Sequence, residues 1–204
     1  MPDSHLSESC YADMFYECTS LKTAPALPAT TLASSCYKQM FYGCTSLVTP
    51  PVLPATTLTD YCYYEMFCGC ASLKTAPALP ATTLAESCYA DMFCGCTSLT
   101  QAPDLPATTL AEYCYDEMFG GCTSLKGPVN ISALSPLIVV EEESETACAD
   151  MFTDSGTASG AGGTINVGGN DDLWKIPSNT GINVDDEGEP ITPPVWTVQG
   201  PSEE

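Results

Sequence analysis

The side chains with the most chemistry to offer are thirteen cysteines, one histidine and 26 acidic residues. Ten cysteines form two series: Cys10, Cys36, Cys62, Cys88, Cys114 and Cys18, Cys44, Cys70, Cys96, Cys122. Cys68 and Cys94 stand outside both, in Cys68-Gly-Cys70 and Cys94-Gly-Cys96. Structural zinc is held by C-x2-C pairs with further Cys or His. Here the spacing is C-x-C and the one histidine, His5, is remote in sequence, so no metal is expected. Asp171-Asp172 and the run Asp185 to Glu189 gather carboxylates. They lack the alternating ligands of a calcium loop and read as solvated acidic segments. With a single His5, no nucleophile–base pair can be assembled. Ser and Thr recur where caps and turns belong, and Gly160-Ala-Gly-Gly lacks the Lys and helix of a phosphate loop. The expectation is a protein that is not an enzyme and carries no cofactor.

An internal repeat must position the cysteines. Phe15, Phe41, Phe67, Phe93 and Phe119 are spaced by 26 residues, as are both cysteine series. A full unit runs from Leu79 to Asp104. A period of this size is the signature of stacked units that bury their apolar faces only against neighbours. Within a unit, Leu84, Cys88, Tyr89, Met92, Phe93 and Cys96 fall at i, i+4, i+5, i+8, i+9 and i+12, one apolar stripe on a helix. Thr83-Leu-Ala-Glu86 reads as a capping box, and Gly43, Gly69, Gly95 and Gly121 sit where such a helix would stop. A helix from Leu84 to Cys94 is expected, then a short strand around Leu99, stacked parallel on Leu73 and Leu125 in a narrow sheet. The sixth unit is degenerate: Ile131 replaces Leu105, seven extra residues intervene, and the motif returns at Thr146–Phe152, with Cys148 in the tyrosine column. This divides the chain into repeats over 1–130 and a decayed repeat, cap and acidic tail over 131–204. A final strand is expected over Ile191–Gln199, with Trp174 and Trp196 covering the end of the stack.

The pattern L-P-x-x-x-L-x-x-x-C-Y-x-x-M-F-x-x-C-x-S-L resembles the BspA-like (Treponema-type) leucine-rich repeats. Its F-x-x-C-x-x-L core is present in Phe15–Leu21, Phe41–Leu47, Phe67–Leu73, Phe93–Leu99 and Phe119–Leu125. The resemblance covers roughly residues 6–130. It implies an α/β repeat fold, a right-handed leucine-rich-repeat solenoid of five to six strand–helix units with a C-terminal β-rich cap. It also implies a surface or recognition role, often in gut-associated bacteria and their phages.

On that reading the ten column cysteines are small buried hydrophobes. Cys36 and Cys44 lie about 12 Å apart by helical rise, too far for a disulfide. Cys68 and Cys94, on helices packed about 8–10 Å apart, are expected as free thiols. The net charge of −21, with five Lys and no Arg, argues against nucleic acid and anionic membranes. No apolar run approaches the roughly 20 residues of a membrane span. The start, MPDSHLSESC, has neither the basic region nor the apolar run of a signal peptide.

One variable column stands out. After the strand leucine come Lys22, Val48, Lys74, Thr100 and Lys126, each followed by Thr23, Thr49, Thr75, Gln101 or Gly127. Three of the five lysines occupy this one position. On a strand-lined concave face, Lys22, Val48, Lys74, Thr100, Lys126, Thr23, Thr49, Thr75 and Gln101 would form the binding surface. The expected role is recognition or attachment, extracellular, at a cell surface or on a virion, with a protein or glycan partner. The alternative is a structural spacer or decoration element of a larger assembly. Free drift of exposed positions explains the variable column equally well.

Overall fold

In one segment of each repeat, every second backbone amide closes a local turn, and every intervening one crosses to the next unit. In the coil around Phe67, the amides of Cys62, Tyr64, Met66, Cys68 and Cys70 donate to the carbonyls three residues back, at 3.0–3.2 Å. The amides of Tyr61, Tyr63, Glu65, Phe67 and Gly69 donate to Glu86, Cys88, Ala90, Met92 and Cys94 of the following coil, at 2.7–3.1 Å. An α-helix would send all of them to the fourth residue back. This is a computed structural model, and it describes residues 6–134, 137–140, 143–169, 171–174, 180–192 and 195–201.

The expected helix over 84–94 is therefore absent, and with it the strand–helix leucine-rich-repeat solenoid. No described residue of the five repeats is helical. The segment is a ribbon of four-residue turns. Tyr61 and Glu65 have φ of 57° and 50°, and Gly69 closes the series at 72°. Left-handed residues recur every four positions in each coil, as at Ser87, Asp91 and Gly95. Each left-handed non-glycine residue costs roughly 1–2 kcal/mol. The offset is that the ribbon's amides are paired, as every one from Tyr61 to Cys70 is, and buried backbone requires this. Gly43, Gly69, Gly95 and Gly121 supply the last left-handed link of each ribbon, not a helix stop.

The apolar positions explain the difference. Their period is four, not 3.6. On a helix a four-residue step rotates the stripe by about 40°, so it drifts about 120° over twelve residues. On the turn ribbon the pairs Cys62-Tyr63 and Met66-Phe67, then Cys70, all face inward and are at most 1% exposed. The narrow sheet expected around Leu99 is also absent. Only isolated parallel bridges join the coils there, including Thr23 to Thr49, Thr75 to Gln101 and Gln101 to Lys126.

Stacking in register builds two aromatic columns. Phe15, Phe41, Phe67, Phe93 and Phe119 lie 5.5–5.8 Å apart between centroids and within 9° of parallel. Tyr11, Tyr37, Tyr63, Tyr89 and Tyr115 form a second column at 5.7–6.0 Å. Cysteines fill the remaining inward positions. The thiols of Cys70, Cys96 and Cys122 donate to the carbonyls of Phe41, Phe67 and Phe93 in the preceding coil, at 3.1–3.2 Å. A larger side chain would crowd this site, and alanine would lose the bond. Eight of the ten column cysteines are buried, while Cys10 and Cys18 of the first coil are exposed.

The decayed sixth unit continues the ladder. Tyr115, Glu117, Phe119 and Gly121 donate to Ala147, Ala149, Met151 and Thr153. Its seven extra residues fall in a segment that holds β1 (Val129–Ile131) and an antiparallel pair, β2 (Leu137–Val140) and β3 (Glu143–Thr146). Beyond lie β4 (Gly163–Val167), the four-residue α1 (Asp171–Trp174) and β5 (Trp196–Gln199), shorter than the strand expected over 191–199. β1, β4 and β5 form one parallel sheet in that order. Trp196 packs on Phe152 at 5.8 Å, and Trp174 is fully buried, so both tryptophans cover apolar residues at this end.

The central ring should be the most costly to remove. Phe67→Ala should lower stability by about 3–5 kcal/mol, because it empties a site with rings above and below. Phe15→Ala should cost clearly less, since Phe15 has a ring on one side only and is partly exposed. Thermal melts of the two variants test this, and equal depressions would contradict the stacking order.

Candidate functional site

The variable column predicted from sequence forms one edge of the stack. Val48 and Thr49 donate backbone bonds to the Lys22 carbonyl, Thr100 donates to Lys74, and Lys126 donates to Thr100. The Thr100 hydroxyl adds a second bond to Lys74, at 3.1 Å. Between the second and third coils the join sits earlier, from Ser72 to Thr45. Lys22, Lys74 and Lys126 are exposed, as are Thr23, Thr49, Thr75 and Gln101. Val48 is 49% exposed between two lysines, and Thr100 is half-buried. Coil spacing set by backbone bonds places the lysines about 10 Å apart at two-coil intervals. The fourth described lysine, Lys38, belongs elsewhere: its ammonium lies 5.0 Å from the Tyr64 ring centroid. His5 lies outside the described residues.

A second site was not foreseen. The outward positions of the turn ribbon carry Asp91, Cys94 and Glu117, with Asp150 in the sixth coil. The loop Asp185–Gly188 folds beside them, enclosing an open cleft of 570 Å³ lined by Cys94, Glu117, Asp150, Asp185, Asp186 and Glu187. Asp185 also organises its own loop, its carboxylate accepting from the amides of Glu187 and Glu189 at 3.1 and 2.8 Å. One donor atom each from Asp91, Cys94 and Glu117 lies within 4.8 Å of the others, close enough for one cation to touch all three. A thiol with two carboxylates suits a borderline-soft ion such as zinc better than calcium.

Coil spacing also changes the reading of Cys68 and Cys94. Both remain thiols. They are not separated by helix packing, however, and each thiol shifts the proton affinity of the other. The neighbouring Cys94 thiol, then burial and the nearby carboxylates, hold the Cys68 proton well above the usual thiol range.

Burial and crowding raise the proton affinity of two carboxyls on the ribbon beside the cleft. Burial, then the charges of Glu117, Glu65 and Asp116, push the Asp91 carboxyl up to about 7. Burial, then Glu117 and Asp150, push Asp116 up to about 6. The sequence signals were present separately, as two off-stripe cysteines and an Asp185–Glu189 run, but nothing in the order of residues brings them together. No family model, no curated protein and no solved structure matches the chain.

A carboxyl whose folded-state value lies above its unfolded value, near 4, favours the fold while it is protonated in the folded state. The favourable effect is full below about pH 4 and is lost as pH rises through about 7. The melting temperature should therefore fall between pH 5 and pH 8. Asp91→Asn should raise it at pH 8, raise it less at pH 5, and flatten the slope. Melts at the two pH values check this; a variant that follows the parent at both would remove Asp91 as the cause.

Proposed function

We propose that this chain is a non-catalytic recognition or attachment protein that binds a protein or glycan on a cell surface through the edge bearing Lys22, Lys74 and Lys126. The observation that carries this reading is the placement of positive charge. The chain has a net charge of −21 and five lysines, and three of those lysines recur at one exposed column. Scattered cations would suffice to relieve repulsion. Aligned cations at intervals of about 10 Å suit a repeating anionic partner, such as an acidic glycan or an acidic polypeptide. Exposed Thr23, Thr49, Thr75 and Gln101 beside them offer hydrogen bonds to hydroxyl-rich ligands. An extracellular or virion-attached setting suits this role.

A second reading, a structural spacer in a larger assembly, draws on the continuous ladder of inter-coil bonds, which makes the stack stiff along its length. The two readings part at the lysines. Lys22→Gln, Lys74→Gln and Lys126→Gln, combined in one protein, should abolish binding to an array of sialylated and sulfated glycans and to intact cells, with an unchanged melting temperature. A triple variant that binds as well as the parent would overturn the role of the column. Absence of any parent binding would leave the spacer reading in its place.

A further inference from the structure

The ladder has a direction, and at one end its acceptors are unpaired among the described residues. In the turn ribbon each coil donates amides forward and accepts on carbonyls from behind, whereas along the lysine edge the bonds run back, as from Val48 to Lys22. In the second coil the carbonyls of Ser34, Cys36, Lys38, Met40 and Tyr42 accept from Ser9, Tyr11, Asp13, Phe15 and Glu17 at 2.7–3.0 Å. The equivalent carbonyls of the first coil belong to Glu8, Cys10, Ala12, Met14 and Tyr16, and none receives a backbone donor among the described residues. The same face is apolar and uncovered. Met14 is 54% exposed where its equivalent Met40 is 1% exposed. Cys10 and Cys18 are exposed where Cys36 and Cys44 are buried. An apolar hollow of 330 Å³ opens here, lined by Tyr11, Met14, Phe15, Leu27, Tyr37 and Met40 among others.

This surface continues an interface the molecule already uses five times. Its chemistry fixes what can cover it. The occupant must present amide donors at alternate residues and apolar pairs every four residues. The same face of a second copy would set the ribbon's acceptors against acceptors. The far end of a second copy is closed, because Phe152 and Asp154 already donate to Thr180 and Val184 and Trp196 lies over Phe152.

We propose that the open face of the first coil docks a polypeptide segment folded as the same turn ribbon. Its alternate amides donate to the carbonyls of Glu8, Cys10, Ala12, Met14 and Tyr16, and its apolar pairs cover Met14 and Phe15. The partner extends the stack by one coil at this end.

The test uses the intact chain and a fluorescent peptide of residues 32–47, which carries the ribbon of the second coil. Anisotropy should show saturable one-to-one binding. N-methylation of the peptide at Tyr37 and Phe41 removes two donors and keeps the side chains, and should weaken binding roughly tenfold. Met14→Lys in the protein should weaken it comparably, with the melting temperature of the parent. Cys10→Arg repeats this test at another exposed position should Met14→Lys melt early. Equal binding of the methylated peptide would reduce the site to an apolar contact and overturn the proposal. So would failure of the unmodified peptide to bind, or sedimentation showing a dimer that the peptide does not dissociate.

Discussion

The fold depends on how its backbone divides hydrogen bonds between the coil and its neighbour. An α-helix satisfies itself, and a strand is satisfied wholly from outside. The ribbon does half of each: alternate amides close turns and the others cross to the next coil. Burial is possible only because both halves are complete. Coil spacing follows from this division, since a backbone bond of about 3 Å brings successive coils far closer than packed helices could come. The stacked rings, the thiol bonds to phenylalanine carbonyls and the contact between Cys68 and Cys94 are consequences of that spacing.

The division of roles around each coil has the same origin. Inward positions come in pairs at a period of four and are nearly invariant from coil to coil, because each must lie on its own copy above and below. Outward positions of the ribbon have no such demand. They hold Tyr16 and Tyr42, stacked at 4.9 Å, then Cys68, Cys94 and Gly120 in a single column. The acidic column beside them, Asp13, Glu65, Asp91, Glu117 and Asp150, is interrupted at Gln39, whose amide donates to Glu65 at 2.9 Å. Burial, then the carboxylates of Glu117 and Glu65 above and below it, raises the proton affinity of Asp91.

Much of this was legible in the residues, and the failures are instructive. The spacing of Phe15 to Phe119 identified the stacking unit, the inward cysteines and the ring column. It misidentified the local backbone, because i, i+4, i+5, i+8, i+9 and i+12 satisfy a helix loosely and a four-residue turn strictly. Glycine at 43, 69, 95 and 121 read as a helix stop, and Glu65 and Asp91, equally left-handed, gave no sign of their backbone. The lysine column was visible because its residues share one position in the period. The acidic cleft was not, because Asp185–Gly188 comes from outside the repeats and reaches Cys94 and Glu117 only through the folded C-terminal region.

The near-identity of the five coils carries a hazard that the sixth removes. A chain of interchangeable layers can pair with itself one layer out of step, and the misplaced layers would meet the same rings, thiols and carbonyls as the correct ones. Only the ends would report the error. The unequal sixth layer breaks that degeneracy. Its seven-residue insertion, Cys148 in place of tyrosine and Ser155 in place of the second cysteine fit only beneath the fifth coil on one side and the Trp196 cap on the other, where Ser155 accepts the indole N–H. The most irregular part of the molecule is thus what lets its regular part settle on one alignment.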